Sequence, residues 1–279
     1  FWIDRGGTFT DVVALSPRRD LITNKLLSEN PEHYHDAAIE GIRRILASAQ
    51  SNKTASNNDR HRQSLSYTLK MGTTVATNAL LERTGAPTLL LITKGFGDAL
   101  RIGYQHRPDL FALQITLPDM LYSQVIEADE RISAQGEVLQ ALDEKHLEAQ
   151  LQAAYDNGLK SIAIVLMHAY KYPQHEQRAA AIASRIGFTQ VSVSSATSPL
   201  AKIVSRGDTT VVDAYLSPIL RRYVKQVATE LDHMNPGSNR LQFMQSNGGL
   251  TEVHQFAGKD AILSGPAGGV VGMVQTATT

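Results

Sequence analysis

The residues with the most chemistry in them come first. Asp4, Gly6, Gly7, Thr8, Thr10 and Asp11 fall within eight positions, between the apolar run Phe1-Trp2-Ile3 and a second one from Val12 to Leu15. That pattern reads as strand, glycine turn, strand. Glycines at such a turn let the backbone bend tightly and leave no Cβ in the path of a bulky anion. Main-chain amides and threonine hydroxyls there can point at phosphate oxygens. Asp4, at the end of its strand, is placed to hold a hydrated Mg²⁺ or to polarise a water. Asp11 is the second carboxylate of the pattern. The same residues also suit an ordinary hairpin whose Asp caps its own turn.

Two further segments carry similar chemistry. Gly72-Thr73-Thr74 lies between an apolar strand and a helix expected over 75–83. Amides at a helix start form an anion site and threonine hydroxyls add donors; a plain Thr N-cap is the other reading. Asn78 falls one turn on, on the face that carries Thr74, within reach of a substrate amide or carboxylate, or simply of water. Ser264-Gly265-Pro266-Ala267-Gly268-Gly269 is a glycine-rich stretch that either admits a ligand to the backbone at Gly265, Gly268 and Gly269 or starts a closely packed helix. The nine histidines show no metal-ligand spacing. His168 and His175 read as structural groups, and Arg206-Gly207-Asp208 as a helix start. Arg101 and Arg107 flank Tyr104 and can bind a carboxylate or lie on the surface.

The elements that position these residues alternate. Strands are expected over 1–5, 9–15, 20–27, 65–71, 88–93, 161–167, 189–194 and 241–245, and a hairpin over 125–141 about Gly136. Helices are expected over 35–50, 75–83 (ending near Gly85), 98–102, 143–157, 175–186 and 208–232, the last kinked at Pro218. Alternation of this kind argues for an α/β fold with a partly parallel sheet. A polar, Asn-rich loop is expected over 51–64, and a boundary near 200–208 separates one complete domain from the opening of another.

Bulk properties narrow the function classes. With 279 residues the chain can bury a sizeable core, and 42% hydrophobic with 19% charged residues is ordinary globular composition. A formal net charge of zero gives no field that would draw the chain to nucleic acid or an anionic membrane. With no cysteine there is no disulfide, thiolate metal site or cysteine nucleophile, which fits a cytoplasmic protein. No apolar run reaches the roughly 18 residues of a membrane span. The chain opens on Phe1 inside a strand and stops after a glycine-rich segment, so a piece of a longer protein is expected.

Taken in order, Phe1 to Val12, Met71 to Arg83, Thr93 to Phe96, Asp213 to Pro218, Met244 to Leu250 and Leu263 to Gly272 resemble the hydantoinase A/5-oxoprolinase family. Lys25 to Glu29, Glu40 to Leu46, Arg107 to Phe111 and Val165 to His168 are similar to its ATP-hydrolysing 5-oxoprolinase branch more than to its acetone-carboxylase or hydantoinase branches. The resemblance implies an actin/sugar-kinase/Hsp70-like (ribonuclease H-like) lobe with a mixed sheet over 1–205, and the start of a second lobe over 206–279.

It also implies ATP and Mg²⁺, with Gly6, Gly7, Thr8 and Thr10 cradling phosphates together with Gly265, Gly268 and Gly269. Asp4, through Mg²⁺-bound water, and Asp11 would be the catalytic carboxylates, and Thr73, Thr74 and Asn78 would face the cyclic amide substrate. The implied reaction is ATP-dependent opening of 5-oxo-L-proline to L-glutamate through a phosphorylated lactam. Hydrolysis would fall to later lobes or a hydantoinase B-like subunit, with a homodimer as one assembly left open. Proteins of this fold carry a second Asp-x-Gly-Gly-Thr loop, expected beyond Gly272, so the fragment alone is expected to be inactive. A hydantoinase-type cyclic amidase, a sugar-kinase-like phosphotransferase and a non-catalytic nucleotide-binding module are the alternatives.

Overall fold

A computed structural model describes residues 1–51, 66–105, 109, 111–115, 117, 119–234, 236, 237 and 239–278. Residues 52–64 of the expected Asn-rich loop and Arg107 lie outside the described residues, whereas Ser51 is helical. The opening run forms β1 (Trp2–Arg5), β2 (Phe9–Leu15) and β3 (Leu21–Leu27), an antiparallel meander. Asp36 then caps α1 (Ala37–Ser51): its Oδ1 accepts from the Ala38 and Ile39 amides at 2.9 and 3.1 Å. The strand β4 (Tyr67–Thr73) leads directly into α2 (Val75–Leu81). That helix stops before Gly85, with Arg83 taking the left-handed conformation (φ 57°). Gly85 serves packing instead, since a Cβ there would lie 2.0 Å from the Tyr215 ring.

There follow β5 (Thr88–Thr93), α3 (Ala99–Ile102), β6 (Tyr122–Ala128), β7 (Arg131–Ile132) and β8 (Val138–Gln140). The hairpin about Gly136 is confined to β7 and β8; residues 125–128 belong to β6, which pairs with β5 instead. Then come α4 (Glu144–Asp156), β9 (Ser161–Val165), α5 (Gln174–Ile186), β10 (Gln190–Val193) and α6 (Ser194–Thr197). Asp143 caps α4 through the His146 amide, and Gly158 ends it at φ 94°. The long α7 (Ile203–Met234) carries Pro218 inside it. It begins before Arg206, so that residue lies within the helix. The hairpin β11 (Asn239–Met244) and β12 (Leu250–Glu252) precedes α8 (Ser264–Ala277), which absorbs the glycine-rich stretch expected to be a loop or helix start.

Two compact units result, Phe1–Glu82 with Ile219–Thr279, and Arg83–Pro218. This division follows compactness; the one expected near 205 follows chain order. The first unit holds a mixed six-stranded sheet, β12-β11-β4-β1-β2-β3, in which β1, β4 and β11 run parallel. Its buried face carries Ile3, Val12, Leu26, Leu69, Met71 and Phe243. The second unit holds a parallel sheet, β10-β9-β5-β6. Burial on both faces explains the unbroken apolar runs Leu89–Ile92 and Ile162–Val165.

Candidate nucleotide site

Because β1, β4 and β11 are parallel neighbours, their last residues, Arg5, Thr73 and Met244, end at one edge of the first unit's sheet. In open α/β sheets ligands bind beyond the carboxyl ends of the strands. The loops that leave this edge begin at Gly6, Thr74 and Gln245, and every residue described below belongs to this one unit.

Asp4 pairs with Asp11 on β2 and with Gly72 on β4. Strand alternation puts Asp4 and Asp11 on the same exposed face. Gly72 leaves room there, since a Cβ on it would lie 3.5 Å from Asp4 Oδ1. Lys25 Nζ donates to both oxygens of Asp11, at 2.9 and 3.0 Å. Partial burial pushes the Asp4 carboxyl above its ordinary value, the Asp11 charge pushes further, and Lys25 opposes both.

The glycine turn is held from behind. Gly6 N–H donates to Phe9 O at 3.1 Å, and a Cβ on Gly6 would come within 2.9 Å of that oxygen. Ser28 donates from its hydroxyl to Gly6 O (2.7 Å) and from its amide to Thr8 O (2.8 Å). Among the described residues the amides of Gly7 and Thr8 meet no acceptor. Thr10 lies on the opposite, fully buried face, its hydroxyl bonded to that of Ser28 at 2.9 Å. It supports the turn from beneath rather than lining the exposed side with Gly7 and Thr8.

Asn78 meets the turn: its Nδ2 is 3.5 Å from where a Cβ on Gly7 would stand. Thr74 staples the two strand ends together, donating from its amide (3.0 Å) and hydroxyl (3.2 Å) to Arg5 O. Its hydroxyl makes no capping bond to α2; that of Thr73 accepts from the Val75 amide at 3.2 Å. Thr73 is fully buried, and its carbonyl accepts from Ser264 Oγ at 2.8 Å. This places the start of α8 beside β4. Gly265 sits against Thr74 and Gly268 against Met244, each with 3.8 Å to a built Cβ, whereas Gly269 faces open space.

Two neighbours were not singled out as site residues from the sequence. Lys25 is brought to Asp11 by strand register, for which local sequence carries no signal. The turn after β11 closes through Gln245 N–H to Gly249 O (2.8 Å) and Gly249 N–H to Asn247 Oδ1 (2.8 Å). Its signal was the resemblance of Met244 to Leu250.

Residues 1–187 match the family described as the hydantoinase/oxoprolinase N-terminal region, and residues 206–279 match hydantoinase/oxoprolinase. The chain belongs to the hydantoinase/oxoprolinase family. A relative named 5-oxoprolinase 1, from Arabidopsis thaliana, is 44% identical over 99% of this chain and 23% of its own length. The chain thus spans about a quarter of that relative. An ATP-dependent caprolactamase from Pseudomonas jessenii superposes with a TM-score of 0.76 at 29% identity, over 95% of this chain and 38% of that one. Nucleotide-free acetone carboxylase superposes at 0.78, with 21% identity over 97% and 39%, a likeness of fold alone.

The donor set suits a magnesium nucleotide. The unpaired amides of Gly7 and Thr8 and the Thr8 hydroxyl suit an anion, and Asp4, on the strand that leads into their turn, suits a cation. Among the described residues no group of three or more His, Asp or Glu is placed to hold a metal without other ligands. Mg²⁺ is commonly held by one or two carboxylates together with substrate phosphates. Among the described residues no helix is long and apolar enough to cross a membrane.

Proposed function

We propose that this chain supplies the first phosphate-binding element of an ATP-dependent 5-oxoprolinase that opens 5-oxo-L-proline to L-glutamate. One observation carries the reading: two unpaired amides at Gly7 and Thr8 lie in the turn that follows Asp4 where parallel strands end, with Asn78 against Gly7. The names of its relatives favour a cyclic amide as substrate.

A lactam resists water because its amide is stabilised by resonance. In the proposed reaction the γ-phosphoryl group of ATP passes to the lactam carbonyl oxygen. An O–P bond forms there as the P–O bond to ADP breaks. Water then adds to the activated ring carbon, the C–N bond breaks with its electron pair and a proton going to the nitrogen, and the acyl phosphate so formed is hydrolysed by a second water to the carboxylate and inorganic phosphate. The protein's part in the transfer is positioning and charge neutralisation. Gly7 and Thr8 hold the phosphates, helped by the α8 start at Gly265 and Gly268; Gly6, whose N–H is paired to Phe9 O and whose carbonyl is paired to Ser28, shapes the turn instead. Asp4 would hold Mg²⁺ through water, and Asp11, tied to Lys25, sets the field around Asp4. Mg²⁺ neutralises phosphate charge when bound. Thr74 and Asn78 face the lactam, with Thr73 fixing Thr74. Ring hydrolysis belongs to later lobes of the polypeptide or to a hydantoinase B-like subunit, with residues 1–205 as the first lobe and 206–279 as the opening of a second.

The test is ATP-dependent glutamate formation from 5-oxoproline by the full-length protein, wild type against Asp4→Asn. Turnover of caprolactam or hydantoin in place of 5-oxoproline would reassign the substrate. ATP consumption with polyols alone would make it a kinase.

A further inference from the structure

The second unit contains a cavity of about 540 Å³ at the start of its edge strand. This is within the usual range for small-ligand sites. The end of α3 forms one wall and β6 the other, with Arg101, Asp98, Asp119, Tyr122 and Val125 among its lining residues. Arg101 was singled out from the sequence and has no place in the proposed phosphate chemistry.

Among the described residues its guanidinium makes no ion pair and no hydrogen bond, although Asp98 is three positions away. Arg101 stands close enough to Tyr122 to stabilise its phenolate, against burial of that hydroxyl, which raises its pKa. Asp98 and Asp208 add negative charge around Tyr122. A guanidinium is a planar fork that matches a carboxylate or a phosphate. The surrounding Asp98, Asp119 and Asp208 disfavour a multiply charged phosphate. They suit a monoanion that also carries an N–H or ammonium donor.

We propose that this cavity binds a small carboxylate bearing an adjacent N–H donor, an amino acid or its cyclic amide, with the carboxylate on Arg101 and the donor on Asp98 or Asp119. Val125 and the ring of Tyr122 pack the ligand's carbon skeleton. The choice of 5-oxoproline and glutamate as probes rests on the proposed reaction; the cavity and its charges do not.

The experiment is calorimetric titration of the full-length protein without ATP, using 5-oxoproline, L-glutamate and 2-pyrrolidinone, the lactam that lacks the carboxylate. Arg101→Gln is expected to weaken one or both carboxylates by about tenfold or more, the worth of a lost charge-assisted pair. Binding of 2-pyrrolidinone should not change, and Arg101→Lys should restore part of the loss. Sensitivity of 5-oxoproline alone marks an additional lactam site, and of glutamate alone an amino-acid effector site; both support the proposal. Unchanged carboxylate affinity in Arg101→Gln overturns it, as does absence of binding by both carboxylates. Neither result touches the proposed reaction, which stands or falls on Asp4.

Discussion

Asp4 and Asp11 face each other across β1 and β2 on one exposed sheet face, and Lys25 is ion-paired to the second of them. The pair leaves Asp4 with a raised carboxyl, from burial first and Asp11 second. Its ionised form is therefore unfavourable in the folded, ligand-free chain. At neutral pH that penalty is fully present. It fades as pH falls through the raised folded value towards the unfolded value of 3.8, so this group alone adds stability on the acid side.

Asp4→Asn should accordingly hold or raise the thermal midpoint at pH 7 and remove that acid-side gain. In the full-length protein it should lower ATP-dependent turnover by roughly 10²-fold or more, since charge placement is the main catalytic lever at such a site. Thermal scans between pH 4 and 7 and steady-state kinetics check both halves. A variant less stable at neutral pH but normally active would make Asp4 a structural residue.

The two glycines of the turn should respond differently. A Cβ on Gly6 would lie 2.9 Å from Phe9 O, so Gly6→Ala must displace backbone and should destabilise by about 1–3 kcal/mol. A Cβ on Gly7 meets only Asn78 Nδ2, at an ordinary 3.5 Å. Gly7→Ala should fold normally yet raise the KM for ATP by crowding the phosphate approach. Urea titrations and ATP kinetics on the two variants check this; an unchanged KM for ATP in Gly7→Ala would mean that the turn holds no phosphate.

Asn78→Ala separates lactam recognition from phosphate binding. Among the described residues the Asn78 side-chain amide has no hydrogen-bond partner. Loss of one or two bonds to a small ligand is worth about 1–3 kcal/mol, on the order of ten- to a hundredfold in kcat/KM. The KM for 5-oxoproline should rise far more than that for ATP. A rise confined to ATP would move the helix start to the phosphate side.

The local parts of this architecture were legible because they are written in short patterns. The β1 turn, the Asp143 cap and the buried β5 and β9 runs each depend on residues within one element or beside it. What sequence alone left out depends on partners far along the chain. Thr10 looks like a phosphate ligand until the β2–β3 register puts it beneath the sheet against Ser28. Residues 125–128 look like half a hairpin until β5 claims them. The stretch from Ser264 to Gly269 has the composition of a loop, yet Pro266 suits the first turn of a helix and Ser264 anchors that turn to Thr73.

Arg206 is the sharpest such case. Read as part of a helix start, it lies one turn inside α7 and is fully buried. Its Nε donates to Ser194 Oγ at 2.9 Å, and its terminal nitrogens donate to the carbonyls of Leu166 (2.8 Å), Leu200 (2.6 Å) and Ala201 (3.2 Å). Ser194 passes the contact on to Glu176, which also accepts from the Leu166 and Ser195 amides. One guanidinium thus ties the loops after β9 and β10 to α7 within the second unit. Burial lowers its pKa, and the Glu176 charge opposes that. Lysine keeps the charge but cannot span this fork, and it gives up most of these hydrogen bonds. Arg206→Lys should therefore destabilise by on the order of 3 kcal/mol. Turnover per folded molecule should hold, because no group of the proposed phosphate site touches it. Urea midpoints alongside active-site-normalised rates check this. Wild-type stability in Arg206→Lys would mean that charge alone, not the fork, holds these loops.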